Sequence, residues 1–240
     1  MTRNLNNQAA LRTRPLVLAG ALLAVASAHG ASVAIANHSF ETDDVSGLTN
    51  QLNVDIVPTG WTGFTDGRGS GGNRGLVYHG PGPSAVGPTL GQNDGSQSFF
   101  TAARDIYQVL GEPLQANTEY TLTVAIGDRD LANVGGDVGD NRIHLGTGTV
   151  AGANILASLD STSPGAVPTV NGDWVTWSMT YTTGAAPAGL GDPLRIELTT
   201  DINVGWFDNV QLTATTIPEP SSLILLGCGL GGMLLRRRRP

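Results

Sequence analysis

Between residues 32 and 217 the apolar side chains recur at every second position, and no long stretch shows the 3.6-residue spacing of a buried helix face. Trp174 to Tyr181 puts Val175, Trp177, Met179 and Tyr181 on one side. Leu194, Ile196 and Leu198 share a side, with Arg195 and Glu197 opposite. Tyr120 to Ile126 alternates threonine with apolar residues, and Val210 to Ala214 makes a last short run. Successive side chains of a strand point to opposite faces, so this spacing predicts antiparallel sheets with one buried face each. Strands are predicted near 32–36, 97–101, 105–110, 119–126, 141–146, 154–159, 174–182, 193–199 and 205–214. That many short strands with no helix between them predict an all-β fold, an antiparallel two-sheet jelly-roll sandwich. Two connections are long: 42–96, with Gly67 to Gly72 and Pro81-Gly82-Pro83, and 127–140, with Asp128, Asp130, Asp137 and Asp140 among glycines. Loops of that length in a compact domain are functional or flexible. No internal repeat and no second core are visible, so residues 32–217 are read as one domain.

The two ends carry a different pattern. Residues 1–14 hold Arg3, Arg12 and Arg14 and no acid, Pro15 to Ala26 is apolar, and Ala26-Ser27-Ala28 follows. A basic stretch, an apolar stretch and a small-residue triplet predict a secretory signal peptide over 1–28, cut after Ala28. No Arg-Arg pair precedes the apolar run, which favours the general secretory route. At the other end, Ser221 to Leu235 is uncharged and Arg236, Arg237, Arg238 and Arg239 follow it. As a helix the run spans about 22 Å, short for a hydrocarbon core of about 30 Å, and snorkelling arginines make up part of the difference. It is predicted to be a transmembrane helix over 221–235, with the arginines stopping transfer on the cytoplasmic side of the inner membrane.

Excluding both ends changes the charge balance. Of 13 basic and 20 acidic side chains, three arginines lie in the leader, four in the tail and Glu219 just before the apolar run, which leaves six arginines against 19 acids. An excess of that sign repels phosphate backbones, so nucleic acid is excluded as a partner and divalent cations are favoured. The single cysteine, Cys228, lies in the C-terminal apolar run, so the exported part has no disulfide. About 185 residues are enough to bury a core of single-domain size.

The order Pro218-Glu219-Pro220, short apolar run, arginine cluster resembles the PEP-CTERM sorting signal of Gram-negative bacteria that make extracellular polysaccharide. The resemblance implies a membrane-embedded exosortase that recognises the sorting motif Pro218, Glu219 and Pro220 within the signal at 218–240, cuts near it and passes the domain to the cell surface or biofilm matrix. Two prolines hold an extended segment just outside the bilayer, where such an enzyme can grip it.

Within the domain, Ile35 to Glu41, Thr59-Gly60-Trp61, Ile106 to Leu110, Asn117 to Leu122 and Trp206 to Leu212 resemble the strands of jelly-roll carbohydrate-binding modules and their galactose-binding-like relatives. That family implies a structural Ca2+ ion, and Glu41 and Asp208 stand at the positions that help hold it. Calcium takes six to eight hard oxygens, so backbone carbonyls or further acids such as Asp43 or Asp44 would complete the shell.

No motif names a catalyst. His38, His79 and His144 are scattered without metal-ligand spacing, and there is no Gly-x-Ser-x-Gly elbow. Neither an acid, a base nor a nucleophile stands out for a carbohydrate-active hydrolase, so a non-catalytic protein is expected. Sugars pack their C–H faces on exposed aromatic rings. Trp61, Trp177 and Trp206 are read as core, which leaves Phe64 and Tyr78, in the long glycine-rich stretch, as the expected exposed pair for an extracellular polysaccharide. Two functions stay open: a glycan-binding surface module, and a structural matrix protein without a specific ligand.

Overall fold

Among the described residues the longest strand is the last. The computed structural model describes residues 30–47, 55–64, 73–78, 94–127, 141–164, 166, 174–200 and 204–218. In it β11 (Val204–Thr216) is the spine of a six-stranded sheet. One edge of β11 pairs with β6 (Thr118–Gly127), while β4 (Gln97–Ala102) and β1 (Ala31–Val33) pair with it at its start and its far half. Outside these lie β3 (Arg74–Tyr78), on β4, and β9 (Trp174–Thr182), on β6. The second sheet has the order β2 (Thr62–Phe64), β5 (Asp105–Pro113), β10 (Pro193–Thr199), β7 (Arg142–Thr147), β8 (Ile155–Asp160). Every pairing is antiparallel, and there is no helix among the described residues. The fold is the all-β jelly-roll sandwich that the alternation predicts.

All nine predicted strands are present, and two more lie in the stretch read as loop. β2 and β3 have three and five residues, too few for alternation to register against the glycines around them. The first strand ends earlier than predicted, at Val33, because Asn37 and Phe40 adopt left-handed backbone (φ 48° and 58°) and turn the chain. The leader 1–28, the whole of 128–140, His79, Glu219, Pro220, the apolar run 221–235 and Arg236 to Arg239 lie outside the described residues.

Alternation places one side of each strand in the main core: Val124 and Ile126 of β6, Trp177 of β9, Ile196 and Leu198 of β10, and Phe207 of β11 are all buried there. Apolar neighbours in sequence add a second layer. Leu76-Val77, Phe99-Phe100 and Trp206-Phe207 each send one side chain to the core and the next to the opposite face. There Val77, Phe100, Ala125, Trp174 and Trp206 form a separate buried cluster across five strands of the larger sheet. The expectation of one buried face per sheet is therefore corrected, since Trp206 is fully buried on the other side.

The smaller sheet departs from that expectation as well. Arg195 and Glu197 point away from the core as predicted, yet both are almost fully buried. Arg195 Nε donates to Glu197 Oε1 at 2.6 Å, and its two terminal nitrogens donate to the carbonyls of Thr147, Gly148 and Ala153. The Gly152 amide closes the arrangement by donating to Glu197 Oε1 at 2.9 Å. The loop from β7 to β8 is thereby fastened onto the outer face of β10. A side chain at Gly146 is excluded by this packing: a Cβ there would lie 2.8 Å from Arg195 Nη2 and 3.1 Å from the Asn154 carbonyl. Removing one partner of a buried pair strands the other charge, so Glu197→Ala should lower unfolding stability by about 3–5 kcal/mol. Chemical denaturation measures it, and a loss no larger than that of an exposed alanine substitution would show that the pair is not buried in solution.

Candidate functional site

The two carboxylates expected to hold an ion, Glu41 and Asp208, come from distant parts of the chain, and Asp208, on the central strand of the larger sheet, feels the charge of Glu41. Glu41 is positioned by Phe40, which is fully buried with its ring 5.5 Å from Trp61 and 5.6 Å from Phe99. Its left-handed backbone turns the next residue toward the segment that enters β4. Glu41 Oε1 accepts the amides of Ser96, at 2.7 Å, and Gln97, while Oε2 accepts the Ser96 hydroxyl at 3.1 Å. Gln97 is buried and locks the same turn, donating to the Phe40 carbonyl at 3.2 Å and accepting the Val45 amide at 3.0 Å. Gly95 has to be glycine: its φ is +108°, and a Cβ would sit 2.6 Å from the Glu41 carboxyl carbon.

Asp208 enters from the other side. A bulge in the pairing with β6 between Asp208 and Gln211, with Asn209 at φ 46°, re-aims β11 at this point. Asp208 Oδ1 accepts the Asn209 amide at 2.7 Å and Oδ2 accepts the Asp94 amide at 3.0 Å. Burial is the main force on this carboxyl and pushes its pKa up to about 8, the charges of Asp94 and Glu41 adding to the rise and the two amides opposing it.

Asp94 is the member that the sequence reading missed; it also lies 3.6 Å from His38 Nδ1 through its own carboxylate. The only signal for it is its place in the Asn-Asp-Gly-Ser turn ahead of β4. The acids proposed from sequence to complete a shell do not join. Asp43 accepts from the Thr59 amide and hydroxyl at 2.8 and 2.6 Å, and Asp44 caps Ser46 at 2.9 Å. Among the described residues no three His, Cys, Asp or Glu side chains are placed to hold one ion together. A cation at Glu41 and Asp208 would thus draw the rest of its oxygens from carbonyls and water, which suits calcium better than metals that need nitrogen or sulfur.

The aromatic residues are distributed otherwise than a sugar platform needs. Trp61, Trp177 and Trp206 are buried as predicted. Phe64 ends β2 in the smaller sheet, half-buried, with its ring edge-on to Tyr107 at 5.6 Å. Tyr78 ends β3 in the larger sheet and packs against the main core. The structure does not bring the two onto one face, and among the described residues the exposed large apolar side chains are all aliphatic.

A family model described as HpiC1 cyclase matches residues 31–213, nearly the whole sandwich. The chain belongs to the HpiC1-like cyclase family. A second model, the PEP-CTERM protein-sorting motif, matches residues 216–239. Among solved structures, the Stig cyclase Fisc from Fischerella sp. TAU, in complex with (3Z)-3-(1-methyl-2-pyrrolidinylidene)-3H-indole, superimposes with a TM-score of 0.63 at 24% identity, covering 79% of this chain and 100% of that one. A cyclase from the same organism in complex with 4-(1H-indol-3-yl)butan-2-one gives 0.60 at 23%, over 78% and 98%. The CBM22-1 xylan-binding domain of Paenibacillus barcinonensis Xyn10C stands further off, at 0.42 and 14%, over 75% and 92%. No curated protein matches the chain. The cyclase structures share the fold, and a family described by a cyclase does not support the expectation of a non-catalytic module.

The raised pKa of Asp208 has a consequence for stability. Between its ordinary value of 3.8 and about 8 the folded protein holds a proton that the unfolded chain has released. Its contribution to stability is therefore present at low pH and is lost as pH rises through that window. In chelator-treated protein the melting temperature should decline from pH 5 to pH 8, and Asp208→Asn should flatten that decline. An equal slope in the variant would show that Asp208 titrates normally.

Proposed function

We propose that the protein is an exported surface protein, passed by its sorting motif to an exosortase, whose sandwich binds extracellular glycan without altering it. The observation that carries the reading is the match of the sorting motif to residues 216–239, directly after the family match over 31–213. Whatever the tail delivers is therefore the sandwich itself. Binding without chemistry is supported by the way the carboxylates are occupied: Glu197 by Arg195, Glu41 by the backbone of 96 and 97, and Asp105 by the Thr200 amide at 3.0 Å. In this reading a structural calcium ion is held at Glu41 and Asp208, offsetting the negative charge that burial and neighbours make costly there. Phe64 and Tyr78 serve as separate contacts on different sheets rather than as one platform.

A second reading is favoured by Asp208 alone. A carboxyl kept protonated near neutral pH is a proton donor of the kind acid catalysis uses, and the family is described by a cyclase. The Fischerella cyclases hold indole compounds, so an indole-bearing substrate is the class to test.

One experiment separates the two: a glycan array with residues 30–218, with and without calcium, beside a titration with 4-(1H-indol-3-yl)butan-2-one. Binding to glycans that is lost on chelation, with no heat from the indole ketone, supports the module. Saturable indole binding that Asp208→Asn abolishes, with a blank array, supports the cyclase. For delivery, replacing Pro218, Glu219 and Pro220 by alanine should leave insertion intact, because the apolar run and Arg236 to Arg239 are unchanged, and should stop transfer beyond the inner membrane. Fractionation in the native host measures it, and normal surface delivery of the triple variant would reduce the tail to a plain anchor.

A further inference from the structure

On the outer face of the smaller sheet a row of polar side chains crosses all five strands. Register sets it: Thr62 of β2 pairs with Tyr107 of β5, Tyr107 with Glu197 of β10, Glu197 with His144 of β7, and His144 with Ser158 of β8. Each faces away from the core because a sequence neighbour, such as Trp61, Ile106, Ile196, Ile143 or Leu159, is buried in it. With strands about 4.8 Å apart, the row is about 19 Å long. Glu197 at its centre is buried, Tyr107 and His144 beside it are half-buried, and Thr62 and Ser158 at the ends are exposed.

Two polar groups in the middle of this face are in place and unused. Arg195 Nε and the Gly152 amide both donate to Glu197 Oε1, and Oε2 meets no donor among the described residues. Two positions further along β10, on the same face, Thr199 is 3% exposed and its hydroxyl has no hydrogen-bond partner among the described residues. A buried hydroxyl without a partner costs stability, and valine would fill the same space without that cost. Beside these groups the Phe64 ring meets Tyr107 edge-on at 5.6 Å and makes an apolar ledge at the β2 end.

We propose that this row binds a linear, uncharged oligosaccharide lying across the strands. Sugar C–H faces rest on Tyr107 and Phe64, one hydroxyl donates to Glu197 Oε2, and another bonds the Thr199 hydroxyl. The proposal rests on the glycan reading above and names its site, on the opposite sheet from Asp208. Charge agrees with a neutral occupant. The exported part has six arginines against 19 acids, yet two of those arginines stand on this face, Arg195 against Glu197 and Arg142 across from Asp160. The face is thus close to balanced, while the acidic remainder of the domain repels a polyanion. Length agrees as well. A row about 19 Å long with hydroxyls at both ends suits an extended chain of sugars, whose hydroxyls both donate and accept. A single indole offers one N–H and no acceptor.

The test is calorimetry of the exported protein with xylohexaose, cellohexaose and laminarihexaose, beside Tyr107→Ala and Thr199→Val. At least one hexasaccharide should bind the wild type, and each variant should weaken that binding by about tenfold. Thr199→Val should also melt at or above the wild-type temperature, since it removes a hydroxyl that has no partner in the free protein. Binding that both variants leave unchanged would overturn the site while the glycan reading stands. No binding of any of the three overturns the proposal, and a blank glycan array beside it overturns the glycan reading as well. Binding of 4-(1H-indol-3-yl)butan-2-one that the two variants weaken, with no sugar bound, would overturn the proposal by assigning this face to the cyclase reading.

Discussion

The pairing of β11 on both edges is the constraint on which the rest depends. β6 follows it from Trp206 to Thr216, while β4 and β1 share the opposite edge. Through consecutive residues the strand serves three purposes. Trp206 fills the outer cluster, Phe207 fills the core, and Asp208 reaches the carboxylate site where the pairing shifts register. A strand anchored on both sides can tolerate a buried acid at the bulge, because the ladder around it sets the position of the carboxyl before its charge is counted. The same ladder delivers the first residues of the sorting motif at a fixed point.

Two buried acids show opposite ways of living with low dielectric. Glu197 is paired with a guanidinium that also donates to three backbone carbonyls, so the burial of each partner is offset by the other. Asp208 has two backbone amides and no cation among the described residues, and two other acids stand near it. The first arrangement fastens a loop. The second leaves a demand for positive charge or for a proton, which is why both functional readings converge on it.

Much of the fold was legible because strand alternation is a local property. Trp174 to Tyr181 and Leu194 to Leu198 point as their spacing says, and the motif at Pro218 could be read letter by letter. What alternation cannot report is what lies above the second face. Arg195 and Glu197 read as a solvated side, yet the β7 to β8 loop covers them, a contact made across more than 40 residues of sequence. Asp94 was invisible for a similar reason, since its amide meets Asp208 from 114 positions away. Phe64 and Tyr78 were grouped because they share a glycine-rich stretch, but two short strands within it send them to different sheets.

Native-state hydrogen exchange on the exported protein tests the central role of β11 most directly. Amides of Trp206 to Leu212 that are bonded within the sheet should exchange only through global unfolding, with the same free energy as the most protected amides of β6, and Ile217 should be protected beside them. Exchange of those β11 amides through local opening, at rates like those of the edge strand β8, would contradict it.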